Sequence, residues 1–146
     1  MIARTFDMAA INAIANDPAV SASFGNAKGQ MDFGPLADEV GNYIVFTDGA
    51  AVAGILEWSA PDVWQAHTMA LPAARGAYGF GCFREMLRLM FMQHGAFAIW
   101  GQTPVTNRAA RLLNRKLGCE SRGFVDREAD GRCELFWLSR ERFLTR

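Results

Sequence analysis

Hydrophobic and polar positions change their spacing along the chain, and each change predicts a different element. Residues 1–6 favour a first strand, after which Asp7 is placed to cap a helix. The apolar side chains of that helix recur at helical spacing and share one face: Met8, Ile11, Ile14 and Ala15. Pro18 ends the helix, because the residue before a proline is biased away from helical geometry. Residues 21–41 are rich in Gly, Ser, Asn and Asp, which predicts an irregular segment with one short helix near 36–40.

From residue 43 onward the pattern becomes sharper. Two runs with β-strand character, 43–47 and 51–58, flank Asp48-Gly49, a dipeptide that favours a tight hairpin turn. A third strand is predicted over 62–71. The remaining elements are a long helix, a strand, an amphipathic helix and two closing strands: residues 80–94, 97–100, 103–117, 120–125 and 133–138.

Two of these elements have predicted ends. Gly95 closes the long helix, and Thr103-Pro104 is predicted to open the next one, because proline is favoured at the first helical position. Hairpins then lie on both sides of a central βαβ unit. This order predicts an α/β fold (α+β mixed sheet), in which one central mixed β-sheet is flanked by helices.

Composition and charge narrow the function more than the fold. The chain has 146 residues, which fits one domain spanning 1–146, and it balances 15 basic against 15 acidic residues. A neutral chain offers no global attraction to nucleic acid or to an anionic membrane, so we expect neither as a partner. Three widely spaced cysteines form neither a disulfide framework nor a metal knuckle, so we expect a cytoplasmic protein without a metal.

The strongest chemical signal lies in residues 71–81, where a strand runs into a glycine-rich turn that opens a helix. Gly76, Gly79 and Gly81 let backbone N–H groups approach a phosphate closely, and the helix N-terminus favours an anion. Arg75 can add a direct bond to phosphate. The alternative is a tight turn whose glycines serve only packing. The spacing GxxGxG does not fit a dinucleotide-binding Rossmann site.

This segment resembles the third βα junction of the GNAT acetyltransferases, which reads V-x-P-x-x-R-G-x-G-x-G/A. Ala70 stands at the Val position, and Pro72 and Arg75-Gly76 match. Aligned in that way, Tyr78 and Phe80 occupy the two later glycine positions. A shift of one residue restores both glycines but puts Gly76 at the Arg position, so two registers of the phosphate loop stay open.

A second element of the same family, N-x-x-A-x-x-L-Y-x-x-x-G-F, lies downstream. Four positions match at the right spacing: Asn107, Ala110, Leu113 and Gly118. Asn114 replaces the Tyr that is the usual general acid, and Cys119 replaces the Phe. The chain also resembles small relatives that phages and prophages often encode, through Pro18-Ala19-Val20 together with His67 and the phosphate-loop residues.

The resemblance implies a GNAT-like single domain that uses acetyl-CoA as cosubstrate. Its pantetheine arm would lie between the strands at 62–71 and 97–101, with the pyrophosphate on the helix N-terminus. Backbone N–H groups near Ala70 and Leu71 would face the thioester. The cofactor-binding residues implied in this way are Ala70, Leu71, Arg75, Gly76, Ala77, Tyr78, Gly79, Phe80, Gly81 and Asn107.

A general base is needed to neutralise the attacking amine, and His67 is the candidate. It lies four residues before Leu71 on the preceding strand, and an unperturbed imidazole titrates near pH 6.5. Glu57 on the neighbouring strand is the alternative base, acting through water. The competing interpretations are a strand histidine with one structural hydrogen bond and a solvated glutamate. Four tryptophans are either core or the wall of an acceptor pocket: Trp58, Trp64, Trp100 and Trp137.

These observations predict an N-acetyltransferase that moves an acetyl group from acetyl-CoA to a primary amine by direct attack in a ternary complex. The acceptor would be a small molecule or a peptide. Because Asn114 cannot serve as an acid, the alternative is a catalytically weak or inactive CoA-binding, interaction or structural protein on the same scaffold. Dimers are common in the family, which keeps a homodimer open as an alternative to a monomer.

Overall fold

A mixed β-sheet organises the fold. We describe it from a computed structural model, which describes residues 1–22 and 30–145. In that part of the chain the sheet has seven strands in the order β1-β2-β3-β4-β5-β7-β6. The strands are β1 (Ala3–Arg4), β2 (Tyr43–Thr47), β3 (Val52–Ala60), β4 (Val63–Ala70), β5 (Ala98–Pro104), β6 (Glu120–Arg127) and β7 (Gly131–Ser139). The described helices are α1 (Met8–Ala15), α2 (Pro18–Ser21), α3 (Ala77–Met92), α4 (Arg108–Lys116) and α5 (Arg140–Leu144).

The sheet is antiparallel except where β4 and β5 run parallel, connected by α3. The predicted α/β mixed sheet flanked by helices is therefore confirmed. Successive side chains of β3 point to opposite faces of the sheet. Val52 and Leu56 pack in the core beneath α3, whereas Ala53 and Ile55 pack in the core beneath α1. We call these two sides the α3 face and the α1 face.

A glycine sets the close packing of α3 on the sheet. A Cβ built on Gly54 would lie 2.1 Å from the sulfur of Met86, a separation that no side chain tolerates. Met86 is buried in the middle of α3, and its thioether fills this space. The absent side chain at residue 54 thus leaves room for the Met86 side chain between α3 and β3.

The prediction that the amphipathic helix begins at Thr103-Pro104 is wrong. Both residues belong to β5, where Pro104 pairs with Cys133 of β7, and α4 begins at Arg108. Asn107 is the N-cap, and its Oδ1 accepts the N–H of Ala110 at 3.1 Å. Proline is tolerated there because the next residue, Val105, donates the hydrogen bond to β7, so no N–H is needed at residue 104. Pairing with a distant strand extended β5 past the local helix signal.

Other boundaries differ less from those predicted. The long helix begins three residues earlier, at Ala77, and the short helix near 36–40 is a 3₁₀ helix over Gly34–Asp38. A second 3₁₀ helix, Pro72–Ala74, precedes α3. Helix α5 was not predicted. Residues 23–29 of the segment predicted to be irregular lie outside the described residues.

The hairpin between β2 and β3 forms at the predicted Asp48-Gly49 turn and is linked to α3. One oxygen of the Asp48 carboxylate accepts the N–H groups of Ala50, Ala51 and Val52 at 2.9, 2.8 and 2.9 Å. The other accepts the hydroxyl of Tyr78 at 2.7 Å. Burial alone would raise the pKa of Asp48, but these hydrogen bonds lower it overall.

We expect Asp48→Ala to lower the free energy of unfolding by about 1–3 kcal/mol, because it leaves several N–H groups without their acceptor. Since the folded-state pKa is lowered, the carboxylate stabilises the fold above its ordinary pKa of 3.8 and loses this contribution as the pH falls below it. The difference in free energy of unfolding between wild type and variant should therefore become smaller in acid. Urea unfolding at pH 7 and below pH 4 measures both effects.

Asp126→Ala is the matched control. Asp126 is 80% exposed and lies 3.6 Å from Arg132, so its removal should cost at most about 0.5 kcal/mol. Equal losses for the two aspartates would contradict the role assigned to the Asp48 carboxylate.

Candidate functional site

The central feature of the site is a gap between two parallel strands. β4 and β5 pair only over Val63, Trp64 and Gln65 with Ala98, Ile99 and Trp100. Beyond these pairs β4 continues to pair with β3 as far as Ala70, and β5 with β7 as far as Pro104. Each strand therefore turns one edge of N–H and C=O groups toward the gap, where an extended chain with amide groups can pair with them.

Two adjoining cavities fill the gap. The larger, of about 1310 Å³, lies between α2, the end of β4, the start of α3 and α4. The smaller, of about 350 Å³, extends between β4 and β5 and has Gln65, His67, Trp100 and Gln102 in its wall. Thr68, Phe83 and Asn107 line both. Together they form one groove that runs from the N-terminus of α3 through the sheet.

Two glycines shape the end of the groove at α3. Gly76 is the N-cap with φ +93°, a conformation that favours glycine. A Cβ built on Gly79 would lie 2.6 Å from the carbonyl oxygen of Ala74, so only glycine fits there. The N–H groups in the first turn of a helix have no partner within the helix. This turn is therefore suited to an anion, as the sequence predicts.

Arg75 lies beside this turn and holds two elements together. Its Nε–H donates to the carbonyl of Ala70 at 3.1 Å, and Nη2 donates to the carbonyl of Ala19 in α2 at 3.2 Å. Arg75 also lines the larger cavity. It thus positions the wall of the groove, and a bond from Arg75 to phosphate would be additional to these contacts.

The predicted base has a carboxylate partner. Nε2 of His67 lies 3.1 Å from Oε1 of Glu57, and the two side chains are 41% and 40% exposed. Glu57 pairs with Gln65 across β3 and β4, so His67 is its diagonal neighbour on the α1 face. An imidazole that donates Nε2–H to Glu57 has Nδ1 unprotonated and able to accept a proton.

Among known proteins, similarity is found to solved structures and not at the level of sequence. No family model matches the sequence, and no curated protein matches it. Solved structures do match. An aminoglycoside acetyltransferase in complex with coenzyme A has a TM-score of 0.79 at 16% identity, covering 99% of this chain and 97% of that one.

Two further matches are enzymes with other acceptors in their names. A variant of the spermidine N-acetyltransferase from Vibrio cholerae has a TM-score of 0.75 at 11% identity, covering 99% and 97% of the two chains. The ribosomal-protein-S5-alanine acetyltransferase from Vibrio fischeri has a TM-score of 0.77 at 10% identity, covering 97% and 93%. The chain has the fold of the GNAT acetyltransferases.

Within this GNAT fold, most residues predicted to bind the cosubstrate lie together. The larger cavity is lined by seven of them: Ala70, Arg75, Gly76, Ala77, Gly79, Phe80 and Asn107. Leu71, Tyr78 and Gly81 are not brought to it. The Tyr78 hydroxyl instead donates to Asp48, and this hydrogen bond raises its pKa. Of the predicted bases, His67 lines the smaller cavity, whereas Glu57 reaches it only through His67.

One expectation about the backbone is corrected. The N–H of Leu71 donates to the carbonyl of Ala51 at 2.8 Å, so it is not available to the thioester. Successive residues of a strand direct their N–H groups to opposite edges, which turns the N–H of Ala70 toward the gap. Ala70 therefore remains the candidate donor at the end of β4.

Two polar residues of the groove, Gln102 and Arg127, were not predicted from the sequence, and neither was the contact that Asn114 makes. Nδ2 of Asn114 donates to Oγ1 of Thr103 at 3.0 Å, next to the gap. On the α1 face, Arg127 donates to Oε1 of Gln102. The spacing of Gln102, two residues after Trp100, is the only local signal that could have placed it, whereas Arg127 comes from a distant strand.

Buried charge attaches α4 to the sheet. Glu134, which is 1% exposed, accepts hydrogen bonds from Arg111 at 2.9 Å and Arg115 at 2.8 Å. Burial would raise the pKa of Glu134, but the hydrogen bonds lower it overall. Both arginines lie on α4 and point toward this carboxylate. The pairs hold α4, and with it Asn107 and Asn114, against the groove.

The described residues form neither a metal-binding cluster nor a helix that could span a membrane. Within residues 1–22 and 30–145, no group of three His, Cys, Asp or Glu side chains is placed to hold a metal ion. In the same part of the chain, no helix has the length and apolar character needed to cross a bilayer.

Proposed function

We propose that this chain is an N-acetyltransferase that moves an acetyl group from acetyl-CoA to a primary amine by direct attack in a ternary complex. The observation that carries the proposal is the gap between β4 and β5, which opens onto the glycine-shaped N-terminus of α3. An extended amide-containing arm and a pyrophosphate are the ligand groups that such a groove fits. Acetyl-CoA contains both.

Each wall of the groove has a part in binding. The free edges of β4 and β5 pair with the amides of the pantetheine arm, as an added strand would. The first-turn N–H groups of α3 bind the pyrophosphate, and the helix dipole stabilises its charge. Asn107 lines both cavities from the start of α4 and borders the arm.

The chemistry takes place where the groove passes through the sheet. The N–H of Ala70 stabilises the charge that develops on the thioester oxygen as the amine attacks. His67 accepts the proton of the amine, and Glu57 holds the imidazole and stabilises its protonated form. Asn114 bonds to Thr103 and offers no acidic proton, so the departing thiolate takes its proton from water.

The Asn114 contact also supports a second candidate function. A chain without a general acid can bind CoA and turn over slowly or not at all, acting as a CoA-binding or structural protein. The single domain over 1–146, a cytoplasmic location, a homodimer, a small-molecule or peptide acceptor and the likeness to phage-encoded relatives stay predictions.

We expect CoA and acetyl-CoA to bind and to stabilise the fold by about 2.7 kcal/mol at a hundredfold excess over the dissociation constant. Calorimetry and thermal unfolding measure the two effects. Pantetheine without the nucleotide should bind more weakly, because it lacks the pyrophosphate. If millimolar CoA gives no heat of binding and no shift in the unfolding temperature, the chain is neither the proposed enzyme nor a CoA-binding protein. Binding without thiol release for any amine would favour the second candidate.

A further inference from the structure

The mouth of the gap on the α1 face has two chemically different walls. Gln65 and Trp100 form the last pair between β4 and β5. Two residues further along, on the same face, stand His67 in β4 and Gln102 in β5. Because side chains alternate along a strand, these are the first two side chains to face each other across the opened gap. Both line the smaller cavity, as does Trp100.

The His67 wall suits an amine. It combines an imidazole with the carboxylate of Glu57 at 3.1 Å, and both are part exposed. A carboxylate attracts the ammonium form of an acceptor, and the imidazole can take its proton. None of the described β4 residues that line the smaller cavity is a lysine or an arginine.

The Gln102 wall suits an anion. Oε1 of Gln102 accepts from Nη1 of Arg127, which reaches across from β6 and lines the same cavity. The guanidinium has five N–H donors in a rigid fork that matches a carboxylate. Asp130 also lines this cavity and forms an ion pair with Nη1 at 3.7 Å, so an incoming carboxylate would share the guanidinium with it. The Arg127 side chain is 45% exposed, which leaves its other N–H donors open to a ligand. Arg127 is thus fixed in place by Gln102 and still open to the cavity.

We infer that the acceptor is a small amine that also carries a carboxylate, bound with its amine at His67 and its carboxylate at Arg127. The inference rests on the proposed function and names the substrate class of that site. Arg127 is then the specificity-determining residue, and Gln102 positions it. Acceptors with several amines and no acidic group meet the positive charge of Arg127 and bind less well.

The test compares amino acids with their amides as acceptors, by thiol release from acetyl-CoA. The wild type should prefer the free carboxylate by roughly tenfold to a hundredfold in kcat/KM, through KM, because a charged hydrogen-bonded pair is lost in the amide. Arg127→Gln should remove this preference by weakening only the carboxylate-bearing acceptor. Arg127→Lys should restore part of it.

Arg122→Gln is the matched control. Arg122 lies on the same strand, pairs with Glu120 at 2.8 Å and stands over the ring of Trp137, outside the residues that line the cavity. It should keep the preference of the wild type. Equal kcat/KM for acid and amide in the wild type, or an equal loss for both in Arg127→Gln, would overturn the inference.

A lack of turnover does not prevent the test. Calorimetry on the CoA-loaded protein can compare N-acetylated amino acids with their amides as ligands, and Arg127→Gln should weaken only the acids. If CoA binds and the acids show no advantage, the inference fails while the CoA site stands. If CoA itself does not bind, the proposed function fails.

Discussion

His67→Gln is expected to lower kcat by about 10²–10⁴-fold, which is the usual contribution of a general base. Glutamine can still bond to Glu57, but it cannot take a proton from the amine. The affinity for acetyl-CoA should hardly change, because the His67 side chain lies on the α1 face of the sheet, whereas the pyrophosphate would bind at the start of α3. A protonated imidazole cannot accept the proton of the amine, so the wild-type rate should fall in acid, and the variant should lose this acidic limb. Thiol-release kinetics from pH 5 to 9 measure both.

The chain supplies its own control, because it has only two histidines. His94 follows α3 and lies against the ring of Phe46 at 5.9 Å between centroids, away from both cavities. Burial, aided by the charge of Arg4, lowers the pKa of His94, so it gains its proton at lower pH than an ordinary imidazole. His94→Gln should keep both kcat and the acidic limb.

The competing base makes a distinct prediction. If Glu57 acts through a bound water, Glu57→Gln should lose more turnover than His67→Gln, and the acidic limb should remain in the histidine variant. A His67→Gln protein with full turnover and an unchanged limb would remove His67 from the mechanism. Unfolding of the variant, seen in thermal melts, would instead support a structural role for this histidine.

Local signals explain which parts of the fold could be predicted. The Asp48-Gly49 turn was predicted correctly, because the aspartate carboxylate bonds the N–H groups of the next residues and needs no distant partner. The start of α4 was predicted wrongly, because β7 extends β5 through Pro104. A local helix-start signal at Thr103-Pro104 does not prevent pairing with a neighbouring strand. Local turn chemistry was therefore readable, whereas the reach of a strand was not.

The same distinction holds in the site. The glycines of residues 76–81 suggested a phosphate loop, because glycine lacks a Cβ and its wider backbone freedom is known from the sequence alone. The contact of Glu57 with His67 depends on the register of the β3–β4 hairpin, and that of Arg127 with Gln102 spans β7. Neither register nor strand order follows from composition or spacing. The groove's two walls therefore appear only when the sheet is assembled.

The second large effect is expected from the most crowded position of the phosphate loop. Gly79→Ala places a Cβ 2.6 Å from the backbone oxygen of Ala74, so the loop or the first turn of α3 must move. We expect the free energy of unfolding to fall by about 1–3 kcal/mol, as it does at other overpacked sites. The dissociation constant of CoA should rise by about tenfold to a hundredfold, because the N–H groups of that turn no longer converge on the pyrophosphate. Urea unfolding and calorimetry measure the two changes.

Gly81→Ala separates crowding from the mere loss of a glycine. Gly81 lies two residues further along the same helix, and a Cβ built there meets nothing within 4 Å. Alanine favours a helix over glycine by up to about 1 kcal/mol, so this variant should fold at least as stably as the wild type. Equal stability losses at both positions would show that the Ala74 contact is not the cause. If the Gly79→Ala protein is destabilised yet binds CoA as tightly as the wild type, the pyrophosphate does not bind at the start of α3. The groove between β4 and β5 would then need another anion site.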